Sequence, residues 1–172
     1  SFGPDTISIN PGAPTSGPPS APSGIVVKTL NQRDVDSLER EPSVTRVIAR
    51  VSGQSRAVYQ EKNRQVVWHA VQPTGFDFLN LELASGRPFT ESDAQAYSKV
   101  IILGSEVVKD LFGDVDPVGR SIRLRDLSFR VIGVLKSKGD QGFFNPDDQV
   151  LVPYTTAMKQ LFGVEYLREI VL

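Results

Sequence analysis

Cysteine is absent from the 172 residues, and histidine, tryptophan and methionine occur once each. Without cysteine there are no disulfides, no thiolate zinc sites and no cysteine nucleophile. The redox compartment stays open, since a cysteine-free chain suits the cytosol and the periplasm alike. A single imidazole, His69, cannot build a polyhistidine metal site. No apolar run approaches the roughly 18 residues needed to span a bilayer, and the opening residues lead us to expect no signal peptide. An excess of one charge is lacking too: 19 Lys plus Arg against 20 Asp plus Glu leave a net charge of -1. No large one-sign field then exists to recruit nucleic acid or an anionic membrane, and nucleic acid is set aside as a partner.

What is present is a globular composition, with 40% apolar residues and a length that fits one domain or two small ones. The start at Ser1 and the apolar end REIVL, which reads as a strand in need of a neighbour, give the expectation of an excised domain. Six of the twelve prolines fall within residues 1–22, and PGAPTSGPPSAPSG (11–24) reads as a mobile loop after a short strand at Thr6–Ile9. A helix is expected from Asn31 as N-cap, with Asp34 in its first turn, Leu30 stapled onto Val35, and Pro42 ending it.

From residue 43 the period becomes extended. VTRVIARVSG, SRAVYQ and RQVVWHAVQ, broken by Gly53 and by EKN at 61–63, predict an antiparallel meander. A short helix at 75–80 and then a loop follow, with a capped turn at Thr90–Asp93. KVIILGSEVVKDLFG (99–113) predicts a buried strand, a glycine turn and a helix capped by Ser105, with Val108, Leu111 and Phe112 inward and Gly113 at its end. A hairpin dividing at Asp126, a strand at 149–153, a helix at 155–163 capped by Thr155 and a final strand complete the reading.

Candidate chemistry is sparse. Asp114 and Asp116 begin like a calcium loop, but its fifth position is Val118, its twelfth is Arg125, and Pro117 interrupts it. A helix end followed by an Asp-Pro turn explains the stretch. Gly104-Ser105 at a helix start offers backbone N–H groups to an anion, without the remainder of a phosphate loop. His69 lacks a partner at triad spacing and no GxSxG elbow exists. Asp147 and Asp148 follow Asn145-Pro146, where Asp favours backbone hydrogen bonds over acid–base work. Phe143 and Phe144 lie adjacent in the polar stretch KSKGDQGFFNPDDQ. Either the loop buries both, or they form a docking contact for a protein partner. No catalytic, cofactor or metal residue is assigned.

LNQRDVDSLEREPSV, GFDFLNLELASGRPFTESD, VIILGSEVVKDLFGDVDPVGRSIRL, FRVIGVL and DDQVLVPYTTAMKQLFG occur in one order. In that succession the chain resembles the extracytoplasmic core domain of MacB-type permeases, the mechanotransmission class of ABC transporters. The resemblance runs from about Thr6 to the C-terminus, with residues 100–134 its most specific block. It implies an α+β fold in which a porter-like α/β subdomain (1–50 and 148–172, incomplete at its C-terminus) carries an inserted, mostly-β Sabre-like subdomain (51–147). It also implies a place between the first and second transmembrane helices of a four-helix permease of the inner membrane, on the periplasmic side.

Catalysis is not implied for the domain, nor any cofactor: ATP would be hydrolysed by a separate cytoplasmic ABC ATPase domain. The implied partners are a second permease copy, and a periplasmic adaptor with an outer-membrane duct. An extracytoplasmic scaffold related to FtsX-like permeases, regulating a cell-wall hydrolase, is the alternative. A further alternative is a small α/β phosphate-binding enzyme using Gly104-Ser105 with Asp114, Asp116 or His69.

Overall fold

A computed structural model describes residues 8–9, 32–44, 48–138, 145–162 and 169–171. The fold is α+β, and its contacts divide into two compact units, Ser1–Val51 with Val164–Leu172, and Ser52–Gly163.

In the first unit, strand β1 (Ser8–Ile9) pairs antiparallel with β9 (Glu169–Val171), which pairs on its other side with Ile48–Arg50 at the start of β2 (Ile48–Tyr59). Glu169–Val171 is thus a strand with a neighbour on each side. Helix α1 (Gln32–Glu39) forms where the sequence predicts it, and its last turn closes through Arg40 N–H to Ser37 O and Glu41 N–H to Leu38 O, just before Pro42. The expected cap at Asn31, the staple from Leu30 and the proline-rich loop lie outside the described residues.

The second unit is a closed barrel. Its strands are the latter part of β2 with β3 (Lys62–Val71), β5 (Val100–Leu103), β6 (Ser121–Leu124), β7 (Leu127–Leu135) and β8 (Gln149–Pro153). Hydrogen-bonded neighbours run β2-β3-β8-β5-β7, and β6 pairs with both β7 and β2, so the ring has no free edge. The expected meander is only partly met: 48–59 is one long strand where Gly53 was expected to break it, and β3 runs parallel to β8 on its other side. Gly53 is instead a close-approach position. A Cβ there would sit 2.5 Å from Cζ2 of Trp68, so the missing side chain makes room for the buried indole.

Side chains alternate across the barrel wall. Ala57, Ile122, Leu124, Phe129 and Val131 are completely or almost completely buried on the inner face of β2, β6 and β7. On the other face of β5 and β8, Val100, Ile102 and Leu151 form a second core with Val71, Ile132 and Leu135, covered by Phe76 and Phe89. Those two rings meet edge to face at 5.6 Å. The covering segment holds helix α2 (Gly75–Phe78) and a strand, β4 (Leu83–Gly86), that sequence reading took for loop. LASG has poor strand propensity, and β4 exists because β7 offers it a partner across a bulge between Leu83 and Ser85. Gly86, at φ +81°, lies so close to Ile132 O that only glycine fits.

The expected capped turn at Thr90–Asp93 opens a short helix, α3 (Glu91–Gln95), through a capping box of Thr90 with Asp93. Helix α4 (Ser105–Phe112) packs on β3, β7 and the turn 146–148. Two expectations for it fail. Gly104, not Ser105, occupies the N-cap, and Val107, not Val108, is fully buried with Leu111 and Phe112. The 107/111 pair one turn apart centres the buried stripe and leaves Val108 at its border. The helix expected at 155–163 is one α-turn, α5 (Tyr154–Thr156), continued by a π-helical turn (Ala157–Phe162). Thr155 does not cap it. Its hydroxyl donates to Ala94 O (2.7 Å), and that of Thr156 to Ser98 O (2.8 Å), which ties α5 to the end of α3.

Candidate functional site

Phe143 and Phe144 lie outside the described residues. The two stems of their segment are described, and they are clamped together by one carboxylate. Asn145-Pro146-Asp147-Asp148 forms a 3-10 turn: the Asn145 side-chain oxygen accepts from Asp147 N–H (3.0 Å), and Pro146 brings a fixed φ to the first helical position. Asp147 is buried, at 5% exposure. Its carboxylate accepts from Ser137 Oγ (2.8 Å) and Lys138 N–H (3.1 Å), joining the stem before residues 139–144 to the stem after them. A buried carboxylate held this way is costly to unpair, so it fixes the base of the segment.

Asp147 and Asp148 face different partners, which sets them apart as carboxylates. Asp148 forms an ion pair with Arg64 of β3, which also reaches Asp110 of α4 at 2.7 Å. The start of α4 is likewise unsuited to phosphate. Gly104 N–H donates to Gln149 O (2.8 Å), and the carbonyl oxygens of Pro146 and Asp147 press against Gly104, putting acceptors where an anion would need donors. Ser105 Oγ is buried beside them without a hydrogen-bond partner among the described residues.

Asp116 makes the turn expected of it. Its carboxylate accepts from Val118 N–H (3.0 Å), Arg120 N–H closes onto Pro117 O (3.0 Å), and Gly119, at φ +88°, donates to Val131 O (2.8 Å) as the chain enters β6. Asp114 is exposed in the same turn, whereas His69 is on β3 opposite Leu151 of β8. Among the described residues no group of His, Asp and Glu could hold a metal ion. Calcium titration should accordingly leave the melting temperature unchanged, and a clear rise would reopen the metal reading.

A second buried carboxylate, Asp93, was read from sequence only as a turn residue. It accepts from both terminal nitrogens of Arg87 (2.7 and 3.3 Å) and from Thr90 N–H (2.9 Å) and Oγ (3.0 Å). The Arg87 hydrogen bonds, opposed by burial and aided by Thr90, hold its pKa below the usual aspartate value, while Arg87 is raised chiefly by the same bond. A depressed folded-state pKa gives stability that is present above the unfolded-state value and is lost as pH falls through the folded-state value. Asp93→Asn should therefore cost about 1–2 kcal/mol at pH 7, allowing for the half-exposed guanidinium. Urea denaturation should show the gap from wild type closing on acidification. A gap independent of pH would show that the ion pair contributes nothing.

The fold is similar to that of the extracytoplasmic domains of ABC-type transporters. The crystal structure of the periplasmic region of MacB from Actinobacillus actinomycetemcomitans superposes with a TM-score of 0.80 at 24% identity, covering 99% of this chain and 74% of that one. The extracellular domain of the noncanonic ABC-type transporter YknZ from Gram-positive bacteria gives 0.71 at 22%, covering 83% and 71%. Within that class the chain belongs to the MacB-like periplasmic core domain family, whose model matches residues 1–171. The macrolide export ATP-binding/permease protein MacB of Chlorobaculum tepidum is 34% identical over 97% of this chain and 26% of its own length. The chain thus spans about a quarter of the length of the curated relatives it matches.

Proposed function

We propose that this domain transmits conformational change across the membrane for a MacB-like ABC permease, and contacts substrate or a periplasmic adaptor during export. The family match over residues 1–171 carries the reading. In it the domain is non-enzymatic, ATP is hydrolysed in a separate cytoplasmic nucleotide-binding domain, and two permease copies pair in the inner membrane. One transmembrane helix precedes the segment and three follow it. In this reading residues 51–147 are the Sabre-like part, and residues 1–50 with 148–172 the porter-like part.

Phe143 and Phe144 are the proposed partner contact, supported by the Asp147 clamp at the base of their segment. The test is Phe143→Ala/Phe144→Ala in the full-length permease. Co-purification with the adaptor should be lost while ATPase activity without adaptor is kept. Undiminished adaptor recovery would remove the contact, and recovery of a cell-wall hydrolase in place of adaptor would favour the FtsX-like scaffold.

A further inference from the structure

The outer face of β2, β6 and β7 carries Arg56, Arg123 and Arg130, all exposed. The ladder registers place them in a line. Arg123 is opposite Val58 on one side and Ser128 on the other, so Arg56 is two residues along β2 and Arg130 two residues along β7 in the opposite sense. Each step is thus one strand over and two residues along, a diagonal of roughly 7–8 Å between backbones. The inner-facing alternates Ala57, Ile122, Leu124 and Phe129 are buried, which fixes the three arginines on the outside.

None of the three makes a side-chain hydrogen bond or ion pair among the described residues. The remaining outward positions of these strand segments, Gln54, Val58, Ser121 and Ser128, bring no carboxylate. In a chain of net charge -1 this is a local segregation of positive charge. It does not serve edge protection, since all three strands are closed into the barrel. Like charges at this spacing repel one another, a cost that a bound anion would relieve.

The row ends at a groove. Arg130 pairs with Val100 of β5, and the gap between β4 and β6 along β7 opens a depression of about 430 Å³ lined by Gly86, Arg87, Val100, Val118, Arg130 and Ile132. Arg87 is already paired with Asp93, so among the described residues lining this site Arg130 is the cation without an ion pair, beside Val100, Val118 and Ile132.

We propose that the arginine row and this groove form a docking site for an extended acidic segment of a protein partner. Alternate side chains of an extended chain recur every ~6.8 Å, which matches the arginine spacing. Carboxylates two residues apart then meet successive guanidinium groups, whose planar forks suit them, and an apolar side chain enters the groove. A lipid surface fits less well, because the exposed large hydrophobic side chains among the described residues are Tyr97 and Val115, neither on these strands.

The inference deepens the partner-contacting reading above but is tested apart from it, on the chain alone. A fluorescein-labelled octaglutamate peptide should bind in a salt-dependent manner, and Arg123→Gln/Arg130→Gln should weaken it about tenfold or more. The charge-matched control Lys62→Gln/Lys109→Gln should change binding less than about twofold, and both variants should melt like wild type, since the altered side chains are exposed. Three results would overturn the proposal: no binding by wild type, equal weakening by both variants, or capture of phosphatidylglycerol vesicles through the same arginines without capture of the peptide. Failure of the Phe143/Phe144 experiment would leave these outcomes unaffected.

Discussion

Gly104→Ala should lower stability by roughly 2–4 kcal/mol, and the loss should concentrate at the base of the 139–144 segment. The backbone of Gly104 is ordinary, at φ -72° and ψ 157°, so conformational freedom is not what glycine supplies here. Space is. A Cβ would lie 2.3 Å from Pro146 O, 2.4 Å from Asp147 O and 2.7 Å from Asp147 C, and these are backbone atoms that cannot swing aside. Relief requires moving the 146–148 turn, which strains the Gly104 N–H bond to Gln149 O and the Asp147 bonds to Ser137 and Lys138.

Gly113→Ala is the control. It has φ +60° and ψ -118° with nothing within 4 Å of an added Cβ, so its cost is only conformational, about 1–3 kcal/mol. Urea midpoints for the two variants, with amide exchange at Lys138, decide the matter. A Lys138 amide as well protected in Gly104→Ala as in Gly113→Ala would show that close packing at Gly104 has no energetic weight.

What was legible from sequence follows the range of the forces involved. The Thr90–Asp93 capped turn, the hairpin dividing at Asp126 and the Asp116-Pro117 turn are set by residues within a few positions of one another, and the structure has each of them. Arg125 takes φ 57° at the first of the two hairpin turn residues, a cost local pattern did not announce. Errors arose where a distant partner decides. Gly53 looks like a strand break until Trp68 is placed beside it, and β4 looks like loop until β7 pairs with it. Thr155 looks like a cap until Ala94 O comes within reach, and Gly104 takes the N-cap because the 146–148 turn presses on it.

The candidate site shows the same division. Asn145-Pro146-Asp147 announced a turn, but the use of Asp147 to join two stems depends on Ser137 and Lys138, ten and nine residues earlier. Barrel closure was the least legible feature of all. It requires β6 to pair at once with β7 next to it and with β2, more than sixty residues away, and no local pattern encodes that second ladder.

Phe129→Ala should be the most damaging substitution on the barrel wall, costing about 3–5 kcal/mol. Phe129 is fully buried, opposite Ile122 in the β6–β7 ladder and on the inward face with Val131, and among the described residues it is the largest of the fully buried side chains. Strands on all sides are held by their ladders, so the wall cannot collapse to fill the space, and the cavity term adds to the lost transfer energy. Arg130→Ala, one residue along and facing out, should change stability by less than about 0.5 kcal/mol. The contrast separates inward from outward positions on one strand. A register slipped by a single residue would exchange them, making Arg130→Ala the costly change and Phe129→Ala the mild one. Urea denaturation of the two variants thus tests the ladder that closes the barrel and, with it, the outward placement of the arginine row.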